Sequence, residues 1–379
     1  MHLPTWLKIV LRVLLVSLVV AAAWTTRWRA VRTLGVDFDE DDYLRSAQEY
    51  RALIKSGDWA GFLEANYRPE HPPLAKIVFG ISILGTEEVP LIDPEQQNWS
   101  LPPDQLVAAR TASAVLGTLT AALVVLINPL AGFFLAVHAI TVKYTSQIML
   151  EALPAFTSLV AILAYLRWKK TGKRFNGWLL LSALAIGMTA ASKYQYCVVA
   201  IAILIDWAVT VGERHAGTGK WKFPWELLVW GALSVAFFVL ADPYLWPDLF
   251  GRLEGSVLFH RSYSTTAPEI ASAGYPAWQP ILWFFFDIRT WNENHAQALF
   301  FNIDWLIGLA AIGGFSALWK RERLYVIWMI VGLAFLLIWP TKWPQYILTL
   351  TVPVSLAAGE LFVSLGSRVA ALFKRSKAA

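Results

Sequence analysis

Asp37-Phe38-Asp39-Glu40-Asp41-Asp42 follows soon after an apolar stretch that runs from residue 7 to residue 26. A helix needs roughly 20 apolar residues to cross the hydrocarbon core. The first element therefore reads as a membrane span, and the acids as the segment that emerges from it. His71-Pro72-Pro73-Leu74-Ala75-Lys76 lies further along the same polar segment. Carboxylates beside a membrane, in a chain otherwise built of spans, point to chemistry on a lipid-borne substrate.

Composition supports a polytopic membrane protein. The 379 residues are 57% hydrophobic and 16% charged, where a soluble domain carries about 25% charge. Mean hydropathy is +0.49 and the isoelectric point is near 9.2. The net charge of +5 invites a nucleic-acid reading, but the position of the charges in loops between apolar runs accounts for it better, and no nucleic-acid partner is expected. The single cysteine, Cys197, excludes an internal disulfide.

Span-length windows fall at 7–26, 105–127, 129–146, 153–168, 177–192, 194–211, 225–241, 303–319, 324–340 and 346–365, about ten in all. The apolar segment 73–84 is too short to cross and reads as a juxtamembrane or re-entrant helix. With that segment not crossing, Lys169, Lys170, Lys173 and Arg174 share one face with Lys320, Arg321 and Arg323, and with the tail residues Arg368, Lys374, Arg375 and Lys377. By the positive-inside bias that face is cytoplasmic. The first loop, 27–104, and the long loop 242–301 then lie outside. A cleaved signal peptide ending near Ala21-Ala22-Ala23 is the lesser reading, since the run is span-length and polar chemistry follows at once. The expectation is a single all-α membrane domain over residues 1–379, about ten transmembrane helices with juxtamembrane helices in the first external loop, and no separate soluble domain.

From Asp41 onward, Tyr43, Ala47, Tyr50 and Ile54 recur at helical spacing, which predicts an amphipathic helix in the interface. Asp39 and Glu40 would stand at its start, either as a working pair or as a solvated acidic helix start. The run leaves a divalent-metal site open, although no second ligand cluster accompanies it. Lys76, Arg110, Lys193 and Lys342 all fall at external span ends, where they either meet an anion or snorkel to the interface. Glu151 lies between two apolar runs, a costly place for a carboxylate without a role or a partner; pairing with Arg110 or Lys193 is the structural alternative. His71 stands before two prolines that stiffen entry to the next helix. The external loop adds Asp242, His260, Arg261, Trp278, Trp283, Trp291 and His295, whose aromatics fit an interfacial belt better than a ligand groove.

Phe38-Asp39-Glu40 with His71-Pro72-Pro73-Leu74-Ala75-Lys76 resembles the protein O-mannosyltransferases. It resembles more widely the GT-C glycosyltransferases of family 39, with the related aminoarabinose lipid A transferases. Arg110 opening a span, Glu151 where the family usually has Asp, and Lys342-Trp343-Pro344-Gln345-Tyr346 before the last span follow the same order. The resemblance implies a GT-C fold and transfer of a sugar, mannose first among them, from a polyprenyl phosphate such as dolichyl phosphate mannose to a Ser or Thr hydroxyl of a protein. It implies Asp39 as general base and Glu40 as a residue that helps place the acceptor. His71, Lys76, Arg110, Glu151, Lys193, Lys342, Gln345 and Tyr346 would contribute to substrate binding. The chemistry fits independently: a hydroxyl attacking an anomeric carbon must lose its proton, and one placed carboxylate can take it. Inversion needs only that base, whereas retention wants a second carboxylate as nucleophile.

The expected partners are a polyprenyl-phosphate-linked sugar, an acceptor polypeptide or envelope glycan, and membrane lipids. No cofactor is required by the sequence. A lipid or cell-envelope glycan acceptor is the nearest alternative. A transporter of a lipid-linked substrate is disfavoured, since charges gather at one interface and no broken-helix repeat is visible. The expected location is a prokaryotic plasma membrane with the site facing outside, an endoplasmic reticulum being the other setting.

Overall fold

The computed structural model describes residues 4–218, 225–286, 299 and 301–376, without the side chains of 214–218 and 372–376. Trp291, His295 and Lys377 lie outside the described residues. No strand occurs among those described. The protein opens with α1 (Thr5–Thr33), whose residues Ile9, Val13, Leu14 and Leu18 face outward, as a lipid-facing span requires. The acidic segment then leads into α2 (Glu40–Ser56), which stops at Gly57 in the left-handed region, and α3 (Trp59–Glu64) follows. After the two prolines comes α4 (Leu74–Ser82). At 1.5 Å per residue its nine residues reach only about 14 Å, so it does not cross. It lies on α2 where Gly80 approaches so closely that a Cβ would come within 2.8 Å of the Cβ of Tyr50.

The remaining helices form the bundle. They are α5 (Pro103–Ile127), α6 (Pro129–Val137), α7 (Ala139–Tyr144), α8 (Ala152–Thr171), α9 (Gly177–Ala190), α10 (Val198–Thr218) and α11 (Trp225–Ala241). Three polar-side helices follow, α12 (Leu249–Thr266), α13 (Pro268–Ala273) and α14 (Gln279–Leu282), and then α15 (Asp304–Arg321), α16 (Arg323–Ile338) and α17 (Leu348–Ser376). Small residues let helices meet: a Cβ on Gly314 of α15 would sit 1.8 Å from the carbonyl oxygen of Ala357 in α17, the close approach common in membrane bundles.

The expected ten crossings are not all matched by single long apolar helices among the described residues. Four stretches, Thr5–Thr33, Pro103–Ile127, Tyr194–Glu213 and Pro344–Ala371, are both long and apolar enough to span. Gly177–Ala190, Trp225–Ala241 and Arg323–Ile338 are apolar but shorter. The window 129–146 is not one helix. It breaks at His138, and the backbone N–H groups opened by the break are met by side chains: Ala139 and Ile140 donate to the Asp304 carboxylate at 2.8 and 3.2 Å, and Thr141 donates to His138 Nδ1 at 3.3 Å. Buried backbone donors need such partners away from water.

Charge is sorted to two ends of the bundle. Arg321 pairs with Glu360, and it donates to the carbonyl of Ile127 at 2.7 Å. Asp206 receives Lys169 at 2.7 Å and Arg323 at 2.9 Å. Arg110 lies 17 residues before Ile127 on the same helix α5, about 25 Å up its axis, and it belongs to the end that carries the acidic segment.

Candidate functional site

That acidic end encloses a cavity of about 450 Å³ between the start of α2, the loop 66–71, α12 and the segment before α17. Asp39 stands on its wall as the residue preceding α2, with φ +69°. The left-handed region costs a residue with a β-carbon about 1–2 kcal/mol, and Asp is among the few that visit it. Its carboxylate does not cap the helix, and no hydrogen bond or ion pair reaches it among the described residues. Burial pushes the Asp39 carboxyl up to about 7; Asp42 and Glu151 add to the rise, while Arg68 and Lys193 oppose it. A carboxyl poised near neutrality is suited to taking a proton.

Glu40, the next residue, has a different station. It is fully buried and its oxygens are all engaged. Arg110 Nε and Nη2 donate to it at 2.8 and 2.5 Å, the Ile148 N–H at 2.8 Å and the Asp37 N–H at 2.9 Å. Arg110 is equally spent, since its other donors go to the carbonyls of Leu34 and Gly35 at 2.8 Å each. This pair ties the end of α1, the start of α2 and α5 to the Ile148 backbone and the Gln147 side chain. It fixes the platform on which Asp39 sits and does not border the cavity.

Lys76 is also turned inward. Its Nζ lies 2.7–2.9 Å from Asn66 Oδ1 and the carbonyls of Tyr67, Arg68 and His71. It therefore shapes the loop 66–71 from within. His71, at the end of that loop, does line the cavity, its ring 5.5 Å from that of His260. Burial, with Lys193 and Lys76 nearby, holds His71 well below the usual imidazole value, so it enters the site as the neutral ring.

Lys193 follows α9 and reaches the cavity wall, paired with Glu151 behind it and 5.2 Å from the ring of Tyr346. Glu151 Oε2 is buried without a hydrogen bond. Gln345 and Tyr346 border the same space. Lys342 does not: its Nζ turns back to the carbonyls of Leu337 and Trp339 at the end of α16. Of the residues singled out in sequence, then, Asp39, His71, Lys193, Gln345 and Tyr346 border the cavity. Glu40, Lys76, Arg110, Glu151 and Lys342 stand behind it or beside it.

Several lining residues were not singled out. Lys143 pairs with Asp37 at 2.6 Å, and Arg68 pairs with Asp42. Glu70 and Tyr263 also line the space. The sequence offers one weak signal, the charged Arg68-Pro69-Glu70 immediately before His71. Lys143 lies within an apolar window and looks there like an ordinary snorkelling residue. Among the described residues no group of three or more His, Cys, Asp or Glu side chains stands together in a way that could hold a metal ion.

The helical bundle with a cavity at its acidic end is of the GT-C type in fold, by its similarity to two solved structures. In shape the chain is similar to ArnT from Cupriavidus metallidurans bound to undecaprenyl phosphate, with a TM-score of 0.57 and 15% identity, over 92% of this chain and 59% of that one. It is similar also to the archaeal oligosaccharyltransferase AglB from Archaeoglobus fulgidus in complex with an inhibitory peptide and a dolichol-phosphate, with a TM-score of 0.57 and 15% identity, over 98% of this chain and 52% of that one. The chain thus spans between half and three fifths of the length of these two proteins. No curated protein sequence matches it. The sequence model of the dolichyl-phosphate-mannose-protein mannosyltransferase family matches residues 62–244. That stretch, a little under half of the chain, includes His71, Arg110, Glu151 and Lys193.

Proposed function

We propose that the protein transfers a sugar, mannose by preference, from a polyprenyl phosphate to an acceptor hydroxyl in the cavity at its acidic end. The observation that carries this reading is Asp39: a carboxylate in a strained backbone position, without a partner, raised toward neutrality, beside a lysine on the cavity wall. In the proposed step the acceptor hydroxyl passes its proton to Asp39 as its oxygen bonds to the anomeric carbon. The bond from that carbon to the phosphate oxygen breaks, and the electron pair leaves with the lipid phosphate. Lys193 faces the charge that grows there. One displacement with one base inverts the anomeric centre.

Glu40 and Arg110 act in this reading as positioning residues, and Glu151 orients Lys193. The likeness in fold to proteins seen with undecaprenyl phosphate and with a dolichol-phosphate supports a polyprenyl carrier, and the family match supports mannose and a protein acceptor. By the loop-charge bias the site faces outside, in a prokaryotic plasma membrane.

The test is direct. Purified protein in liposomes, given polyprenyl-phosphate mannose and a Ser/Thr peptide, should yield an α- or β-linked glycopeptide of configuration opposite to the donor, read by mass spectrometry and NMR. Transfer to a lipid or glycan alone would move the acceptor. Passage of the donor across the vesicle without bond formation would sink the enzyme reading.

A further inference from the structure

We propose that Arg68 is a positioning residue for Asp39, held in the cavity wall by Asp42 so that its guanidinium sets the charge of the base; this rests on the function proposed above. The starting observation is backbone strain. Among the described residues only two other than glycine take a positive φ, Asp39 at +69° and Arg68 at +61°. Both line the same cavity. Strained residues cluster where the surrounding structure holds them for a purpose.

The two are linked through one carboxylate. Asp42, a single turn past Asp39 on α2, accepts Arg68 Nε at 2.7 Å and also Nη2, while its other oxygen accepts the Tyr67 hydroxyl at 3.0 Å. The Arg68 carbonyl is fixed from the opposite side by Lys76 at 2.7 Å, and the Tyr67 carbonyl takes Ser46 Oγ at 3.1 Å. The loop 66–71 is therefore stapled to the first turns of α2 by its backbone, independently of the Arg68 side chain. That side chain is 42% exposed, and Nη1 makes no contact closer than Glu70 Oε1 at 3.9 Å. The guanidinium is thus held between the Asp42 and Glu70 carboxylates while remaining partly open to the cavity.

Other charges face Asp39 as well. Asp42 lies on its own helix, Glu70 and His71 on the loop, Lys193 and Glu151 across the cavity, Lys143 with Asp37 below, and His260 with Glu269 on the α12 side. Each cation carries a counter-charge: Lys193 is tied to Glu151, Lys143 to Asp37 and Arg68 to Asp42. Arg68 is the cation held by a carboxylate of α2 itself, one turn from Asp39, and it lines the same cavity.

The experiment compares Arg68→Gln and Arg68→Lys with the wild type. A nearby positive charge favours a carboxylate by about one pH unit or more. The acid limb of kcat/KM against pH should therefore move up by about one unit in Arg68→Gln, a loss of about tenfold at pH 6, and stay in place in Arg68→Lys. Carbodiimide labelling of Asp39 across pH 5–9, read by peptide mass spectrometry, should show the same displacement without any need for transfer. An unmoved midpoint in folded Arg68→Gln would overturn the inference, leaving Arg68 a loop contact. A wild type that transfers no sugar but shows the labelling shift would retain this inference and discard the proposed function.

Discussion

Replacing Asp39 by Asn separates chemistry from folding, because the two effects have opposite signs. Asn matches Asp in shape and tolerates the left-handed region, so the backbone at φ +69° is kept. As the base, Asp39 should contribute about 10²–10⁴-fold to the rate, and transfer should fall by that factor at equal protein abundance. Stability should move the other way. The carboxyl rises from its ordinary 3.8 to about 7 on folding. A carboxyl raised in the native state makes its ionisation unfavourable to folding, and that penalty builds between about pH 4 and pH 7 and is complete above. Three pH units correspond to about 4 kcal/mol. Asp39 is only partly buried and lines an open cavity, so solvent screening reduces this to roughly 1–2 kcal/mol. Thermal unfolding in detergent should show Asp39→Asn more stable than wild type at pH 8 and level with it near pH 4. Wild-type transfer rates in the variant would refute the base. A stability difference that ignores pH would refute the raised carboxyl.

Other substitutions test the surroundings. Arg110→Ala leaves Glu40 charged and buried, and should cost about 3–5 kcal/mol in thermal unfolding; the double variant with Glu40→Ala should cost less than the two single changes added. Lys193→Ala should lower kcat by about 10²–10³ and also destabilise by stranding Glu151. Adding Glu151→Gln should restore the melting temperature without restoring turnover, and joint recovery of both would remove Lys193 from the reaction. Lys342→Ala should keep turnover within about twofold, since its Nζ is spent on the end of α16; a large loss in kcat would mean that this lysine reaches the substrate.

The class of the fold was legible because apolar length is a property of composition: helices and closed barrels alone satisfy the backbone in lipid, and the runs here are of helical span length. The short segment at 73–84 was legible for the same reason, and α4 lies on α2 without crossing. The break at His138 was not. Residues 129–146 are largely apolar, and the N–H groups freed at the break are met by the Asp304 carboxylate, brought from 165 residues away along the chain. No local pattern carries such a distant partner.

The same limit governs the site, and it acts through hydrogen-bond saturation rather than position. Sequence and charge bias bring Lys76, Arg110, Lys193 and Lys342 to the acidic end, but a cation there meets either substrate or carbonyl oxygens. Lys76 is enclosed by four oxygens, Arg110 by Glu40 and the end of α1, and Lys342 by the last turn of α16. Each becomes part of the frame because loop backbone at membrane depth must find donors. The adjacent acids divide in the same manner: Asp39 precedes α2 in the left-handed region while Glu40 is its first helical residue, so Glu40 enters the bundle and meets Arg110 while Asp39 faces the cavity. An Asp-Glu dipeptide at a helix start thus supplies an anchored acid and an unpartnered one from a single turn. The anchored member is what makes the strained backbone of the other sustainable, and the two cannot exchange roles without rotating α2.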